Sequence, residues 1–262
     1  MKTNQMKYTV EQINEFGQYY KNGHSLKETA EHFNVNYHTL KQNLIRFGFR
    51  TPSKTLSNQR VNKITYFDTI DTHEKAYWLG FLYSDGYISK TAYGCSIGIG
   101  LQLQDKYIIE RFKTSLGLTN KINEYKNSCK ISFTCLHALQ TLQNLGIKFD
   151  KSHQDYKIPN IPDEFINSFI LGYFDGDGCI TIKSTGYSVT SICSNSKIFL
   201  ESVKEHLSQK NIICRDVCTE KRGLYVLYLS RKENQLKFAD YIYKDCPIFL
   251  KRKHNKFLQI PR

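Results

Sequence analysis

The chain has 262 residues, with 37 Lys and Arg against 24 Asp and Glu, a formal net charge of +13. That length holds a sizeable core, and so large a basic surplus points to a polyanionic partner, nucleic acid being the commonest. The 5 Pro and 15 Gly exclude a collagen-like or disordered composition, and no stretch reaches the ~20 apolar residues that span a bilayer, so no membrane partner is expected.

The opening residues, MKTNQMKYTVEQ, lack the apolar segment of a signal peptide. Eight cysteines are scattered without a CxxC pair, and Cys214 and Cys218 have no matching His/Cys pair for zinc. Free thiols of this kind suit a reducing compartment. The expected location is therefore the cytoplasm of a bacterial or phage host, or an organelle matrix.

Residues 8 to 50 read as helices. Val10, Ile13, Phe16 and Tyr20 recur at helical spacing. Ser25 with Glu28 forms a capping box for the next helix, whose inner face is Leu26, Ala30 and Phe33. After a short turn at Asn34 and Val35, Leu40 and Leu44 mark a third helix. This pattern resembles a helix-turn-helix DNA-binding motif, whose recognition helix would offer Asn36, Tyr37, His38, Lys41 and Gln42 to bases and phosphates. The stretch after it, with Pro52, Ser53 and Ser57, reads as a linker.

From residue 75 the chain repeats itself. YWLGFLYSDG ends in Asp85-Gly86 and FILGYFDGDG ends in Asp177-Gly178, 92 positions later. After the first comes a strand with Ile97, Ile99, Leu101 and Leu103 on one face and Ser96, Gly98, Gly100, Gln102 and Gln104 on the other. A helix, a hairpin turning near Lys126 and another helix follow, and the second half repeats the order. The expected fold class is α+β, with two pseudo-symmetric αββαββα repeats behind a small all-α helix-turn-helix domain. The expected boundaries are 1–52 for that domain, 53–74 for the linker, 75–161 for the first repeat and 162–262 for the second.

Gly80 and Gly172 occupy equivalent places and would let the two motif helices touch. Their C-terminal ends then lie side by side with Asp85 and Asp177 close together. Like charges at two helix C-termini repel, and divalent cations offset that cost, since hard oxygen ligands suit Mg²⁺.

The two motifs resemble the signatures of the LAGLIDADG homing endonucleases, and the similarity spans roughly residues 75 to 258. The resemblance implies a single-chain, two-motif enzyme that cuts both strands of double-stranded DNA at a long, specific target. Such an enzyme acts as a monomer and without a small-molecule cofactor. Asp85 and Asp177, with the following Gly86 and Gly178, would form the site for two or three Mg²⁺ ions. Asp175 would either support the metal ligands from behind or be a helix-end residue, and not a metal ligand itself. Lys253 and its first-repeat counterpart Lys151 would polarise the scissile phosphate or order the attacking water. Each four-stranded sheet would sit as a saddle over the major groove, presenting Ser96, Gln102, Gln104, Lys130, Ser132, Thr134, Thr181 and Lys183. Where the first motif has Tyr83 and Ser84, the family often has an acid and a small residue. Two other functions fit the same fold: a non-cleaving transcription regulator, against which both retained aspartates argue, and an intron RNA maturase, which they leave open.

Overall fold

The structure, a computed structural model, describes residues 8–22, 24–47, 49, 63–91, 94–147, 156–220, 223–229 and 231–261. The chain divides into two compact units, Met1–Gln59 and Arg60–Arg262.

The first unit contains α1 (Val10–Lys21), α2 (Leu26–His32) and α3 (Tyr37–Arg46). Its core is Ile13, Phe16, Tyr20, Ala30, Leu40, Leu44 and Phe49, with Val35 packed against it. Ser25 and Glu28 form the expected capping box, and Thr9 with Gln12 forms another at α1. Each box satisfies orphan N–H groups from both sides of the cap. The turn before α3 places Asn34 at φ 49, a left-handed conformation that asparagine tolerates.

The second unit repeats one topology. α4 (His73–Ser84) leads to β1 (Gly86–Thr91), β2 (Gly94–Gln102), α5 (Lys106–Leu116), β3 (Asn123–Glu124), β4 (Ser128–Phe133) and α6 (Leu136–Asn144). Then α7 (Ile166–Asp177) leads to β5 (Gly178–Ile182), β6 (Ser188–Ser194), α8 (Lys197–Gln209), β7 (Cys218–Thr219), β8 (Tyr225–Leu229) and α9 (Arg231–Ile242). The antiparallel sheets have the orders β1-β2-β4-β3 and β5-β6-β8-β7, so the halves match strand for strand. The expected α+β fold with two αββαββα repeats is the fold observed, and a further helix, α10 (Lys251–Leu258), follows the second repeat.

Two details differ from the sequence reading. The tail of the expected linker belongs to the core, where Phe67 and Ile70 are buried, and Thr72 caps α4. The alternation through Leu103 and Gln104 overruns β2, which stops at Gln102. Leu103–Asp105 is a 3-10 turn because buried Asp105 is held by Arg252, its Oδ2 accepting from Nε at 2.8 Å. Leu103 is accordingly 37% exposed.

Both helix-to-strand junctions require glycine for close approach. Gly178 is extended, with φ −87, so it does not serve as a left-handed cap. A Cβ there would run into the Phe174 ring and carbonyl, and one on Gly86 would stand 2.5 Å from the Leu82 oxygen. The strand folds back directly onto the helix that carries the aspartate.

Candidate active site

The site begins with the packing of α4 on α7. A Cβ on Gly80 would collide with the Phe169 carbonyl, and a Cβ on Gly172 with the Tyr77 carbonyl. Tyr77 and Phe169 are themselves 92 positions apart, so the two collisions are the same contact seen from each half. At one end of the pair, His73 Nδ1 lies 2.8 Å from Ser168 Oγ. At the other, a Cβ on Gly176 would meet the Ser84 side chain and stand 3.2 Å from the Asp85 carboxyl carbon. The Asp85 side chain therefore rests on the last turn of α7, one residue before Asp177. Both aspartates are exposed.

Asp175 turns the opposite way and is fully buried. Its Oδ2 accepts from Tyr77 Oη on α4 at 2.9 Å and from the Leu250 N–H at 2.8 Å. Its Oδ1 has no hydrogen-bond partner among the described residues. Burial raises its pKa to about 6, against the opposing pull of Lys253 and these donors. Asp175 is thus a helix-end residue that ties the two motif helices together.

Lys253 is only 5% exposed. Its ammonium donates to the carbonyls of Phe174 at 2.7 Å, Asp175 at 2.8 Å, Gly176 at 3.2 Å and Gly178 at 2.6 Å. Burial lowers its pKa to about 8, while Asp175, Asp85 and Asp177 pull it up. The ammonium sits on the negative end of the α7 dipole and donates to its last carbonyls, sharing that of Phe174 with the Gly178 N–H. The ammonium is enclosed by the helix end and lies within electrostatic reach of Asp85 and Asp177. Lys151 lies outside the described residues.

The Gly178 carbonyl accepts from Lys253 at 2.6 Å, which uses one of its two lone pairs. Gly86 begins β1, paired with Ile99, and is buried. The side-chain donors are the two exposed carboxylates, with the neighbouring backbone carbonyls beside them. Together they are an all-oxygen set of the kind a hard cation takes, with water and phosphate oxygens completing the shell. Among the described residues no cluster of three His, Cys, Asp or Glu side chains stands ready for a metal.

The sheets bring part of the expected DNA face together. In register, Gly98 faces Ser132, Gly100 faces Lys130 and Gln102 faces Ser128, so Ser96, Gln102, Lys130 and Ser132 share the face opposite Ile97, Ile99 and Ile131. The Lys130 ammonium lies 5.0 Å over the Tyr125 ring. Gln104 is off the strand but donates to Gln102 Oε1 at 2.6 Å. Thr134 lies one residue beyond β4, and Lys183 one beyond β5, over the Tyr187 ring at 5.4 Å. Thr181 is exposed on β5.

In the first unit Tyr37, His38, Lys41 and Gln42 are exposed along α3. Asn36 serves as the cap, its Oδ1 accepting from His38 N and Thr39 N, so that oxygen is committed.

The roles of Tyr77, Leu250 and Arg252 escaped the sequence reading. One signal was present: Leu250, Lys253, Phe257 and Ile260 recur at helical spacing, which puts the lysine on an apolar face.

Residues 164–243 match the family model of a LAGLIDADG-like domain. Among solved structures, the LAGLIDADG meganuclease I-AabMI bound to uncleaved DNA is 17% identical, with 70% of this chain and 87% of that one covered and a TM-score of 0.49. Mesophilic variants of the homing endonuclease I-DmoI are 17% identical, with 70% and 98% covered and a TM-score of 0.46. The meganuclease I-SmaMI bound to uncleaveable DNA is 12% identical, with 70% and 86% covered and a TM-score of 0.49. No curated protein sequence matches the chain. Residues 164–243, which carry α7, Asp177 and the second sheet, thus form a LAGLIDADG-like domain, and the first repeat duplicates its element order and strand pairing.

Proposed function

We propose that the protein is a site-specific double-strand DNA endonuclease dependent on a divalent cation, Mg²⁺ being the expected ion. The observation that carries this reading is the Asp85 carboxyl resting on the last turn of α7 beside Asp177. Two acids on two helix C-termini are a standing electrostatic cost for a fold that gains nothing from them. Asp85 and Asp177 would hold two or three cations between the halves. When bound, such ions stabilise charge on a phosphodiester and acidify the attacking water.

The chain's own groups position the rest. Gly80 and Gly172 set the separation of the two carboxylates. Asp175 and Lys253 fix the end of α7, and the sheet faces carrying Gln102, Lys130, Ser132 and Thr181 meet the duplex. One chain supplies both halves, so a monomer suffices, acting in a host cytoplasm or organelle matrix. The test is cleavage selection from a randomised duplex library with Mg²⁺ and with EDTA. Cut products with one consensus, only with Mg²⁺, are expected; no cleavage under any divalent ion overturns the reading.

We extend the proposal to the first unit, as a helix-turn-helix module in which Tyr37, His38, Lys41 and Gln42 hold duplex beside the target. Removing residues 1–59 should weaken binding and lower its salt dependence without moving the cut positions. An unchanged salt slope would refute this role.

A further inference from the structure

A cleft of about 410 Å³ opens at the turn joining β5 to β6, and its lining includes Arg215, Arg231, Lys232, Tyr187, Tyr228 and Gln235. None of its lining residues is acidic, and none of its three cations is in an ion pair among the described residues. Gln235 is a wall and not a ligand: its Oε1 accepts from Thr190 Oγ1 at 3.0 Å and its Nε2 donates to the Ser188 carbonyl at 3.1 Å. The acid that Arg231 acts on, Glu233, is itself bound by Lys237 at 2.6 Å, so the cleft keeps a positive surplus that an anion seated in it offsets. Arg231 is held at φ 58, a left-handed conformation that costs a non-glycine residue about 1 kcal/mol. Glycine or asparagine would fit that backbone more cheaply, yet the position keeps a charge that lines the cleft.

The sheet indicates which anion. Val189 lines the cleft and is the register partner of Thr181, and Tyr228 is the partner of Ser191. The cleft is therefore the outer margin of the face proposed to meet the duplex. β5 leaves Asp177 at Gly178 and reaches its end at Ile182, next to Lys183. Five residues of strand span roughly 16 Å, or about five base pairs of B-DNA.

We propose that Arg215, Arg231 and Lys232 form a phosphate clamp that grips the nucleic-acid backbone about five base pairs outward from the cleavage centre. The proposal rests on the DNA-cleaving reading above. Arginine provides forked donors that suit phosphate oxygens, and Lys232 adds a point charge.

The test is the salt dependence of binding to a 40-base-pair duplex of random sequence, in EDTA, for the whole protein and for Arg215→Gln/Arg231→Asn/Lys232→Gln. Each lost phosphate contact lowers the logarithmic salt slope by about 0.9, so the variant should lose about one to three units of slope. Lys157→Gln/Lys197→Gln/Lys204→Gln removes the same charge from a groove along α8 and should change the slope less. An unchanged slope in the clamp variant, or an equal drop in the control, overturns the clamp and leaves the nuclease reading standing. Failure of the unaltered protein to bind duplex at low salt overturns both. If the triple variant does not fold, Arg231→Asn alone, which suits the left-handed backbone, decides: a slope lower by up to about 0.9 supports the clamp, and no change refutes it.

Discussion

Gly80 and Gly172 stand at one crossing, each with its Cα against a carbonyl of the opposite helix, Phe169 and Tyr77 respectively. A methyl group at either place has only backbone to push against, so the helices must separate. Gly80→Ala and Gly172→Ala should each cost about 1–3 kcal/mol, the range for overpacking a tight core. The double variant should cost less than the sum, because one separation relieves both collisions. Chemical denaturation of the four proteins measures this. Full additivity would mean that the two contacts yield independently and that the crossing is not a shared hinge.

Asp85→Asn and Asp177→Asn test the cation site in two opposite directions. With Mg²⁺, each should lose cleavage by about three orders of magnitude or more, since metal stabilisation is worth several kcal/mol. Duplex affinity in EDTA should remain. Without metal, each variant should also melt no lower than the parent, because one of two facing negative charges has gone. Added Mg²⁺ should raise the melting temperature of the parent and not of the variants. A parent whose melting does not respond to Mg²⁺ would remove the cation from this site.

Much of this geometry was legible in the sequence because the chain states it twice. One motif ending in Asp-Gly is a helix stop; a second at the same place in a repeat predicts the pairing of helices, and the glycines predict how close they come. The strands followed from alternation, which is local. The contents of the helix end did not follow. Lys253 reaches α7 from 75 or more residues away, and no local pattern encodes which carbonyls a lysine will meet. The end of β2 escaped for the same reason, since Asp105 is turned inward by Arg252 from α10. Asn36 shows a second task that the sequence reading did not assign: its Oδ1 caps its own helix.

His206 gives a pH dependence separate from the catalytic centre. It is buried on α8, with Nε2 2.7 Å from Tyr241 Oη and Nδ1 3.8 Å from Asp163, which also binds Lys210. Burial lowers its pKa from the ordinary 6.5; Asp163 opposes this and Lys210 adds to it. The unfolded chain therefore takes up this proton more readily than the folded one. Its contribution to stability is complete above about 6.5 and is lost as the pH falls through the window below. His206→Gln should flatten that acid limb. Denaturant midpoints between pH 7.5 and 5 that fall equally in both proteins would show that another group controls the limb.

Lys253 and Asp175 are two buried charges at the α7 helix end that act on each other through space, the ammonium donating to the Asp175 backbone carbonyl and not to its carboxylate. Lys253→Met takes the ammonium from the carbonyls of Asp175, Gly176 and Gly178, leaves that of Phe174 with the Gly178 N–H alone, and removes the cation nearest the Asp175 carboxyl. Leaving a buried polar group unsatisfied costs about 1–3 kcal/mol. The remaining carboxyl should then titrate still higher, because burial persists while the opposing charge is gone. Asp175→Asn in the Lys253→Met background should therefore restore part of the loss, whereas alone it strips the lysine of a partner and destabilises. The sign of that coupling separates an electrostatic pair from simple packing, for which the two losses would add. Cleavage gives the second readout. If the lysine acts only by ordering the helix end, folded Lys253→Met at low temperature should keep more activity than Asp177→Asn. A loss as deep as that of Asp177→Asn, with the fold intact, would place the ammonium directly on the scissile phosphate.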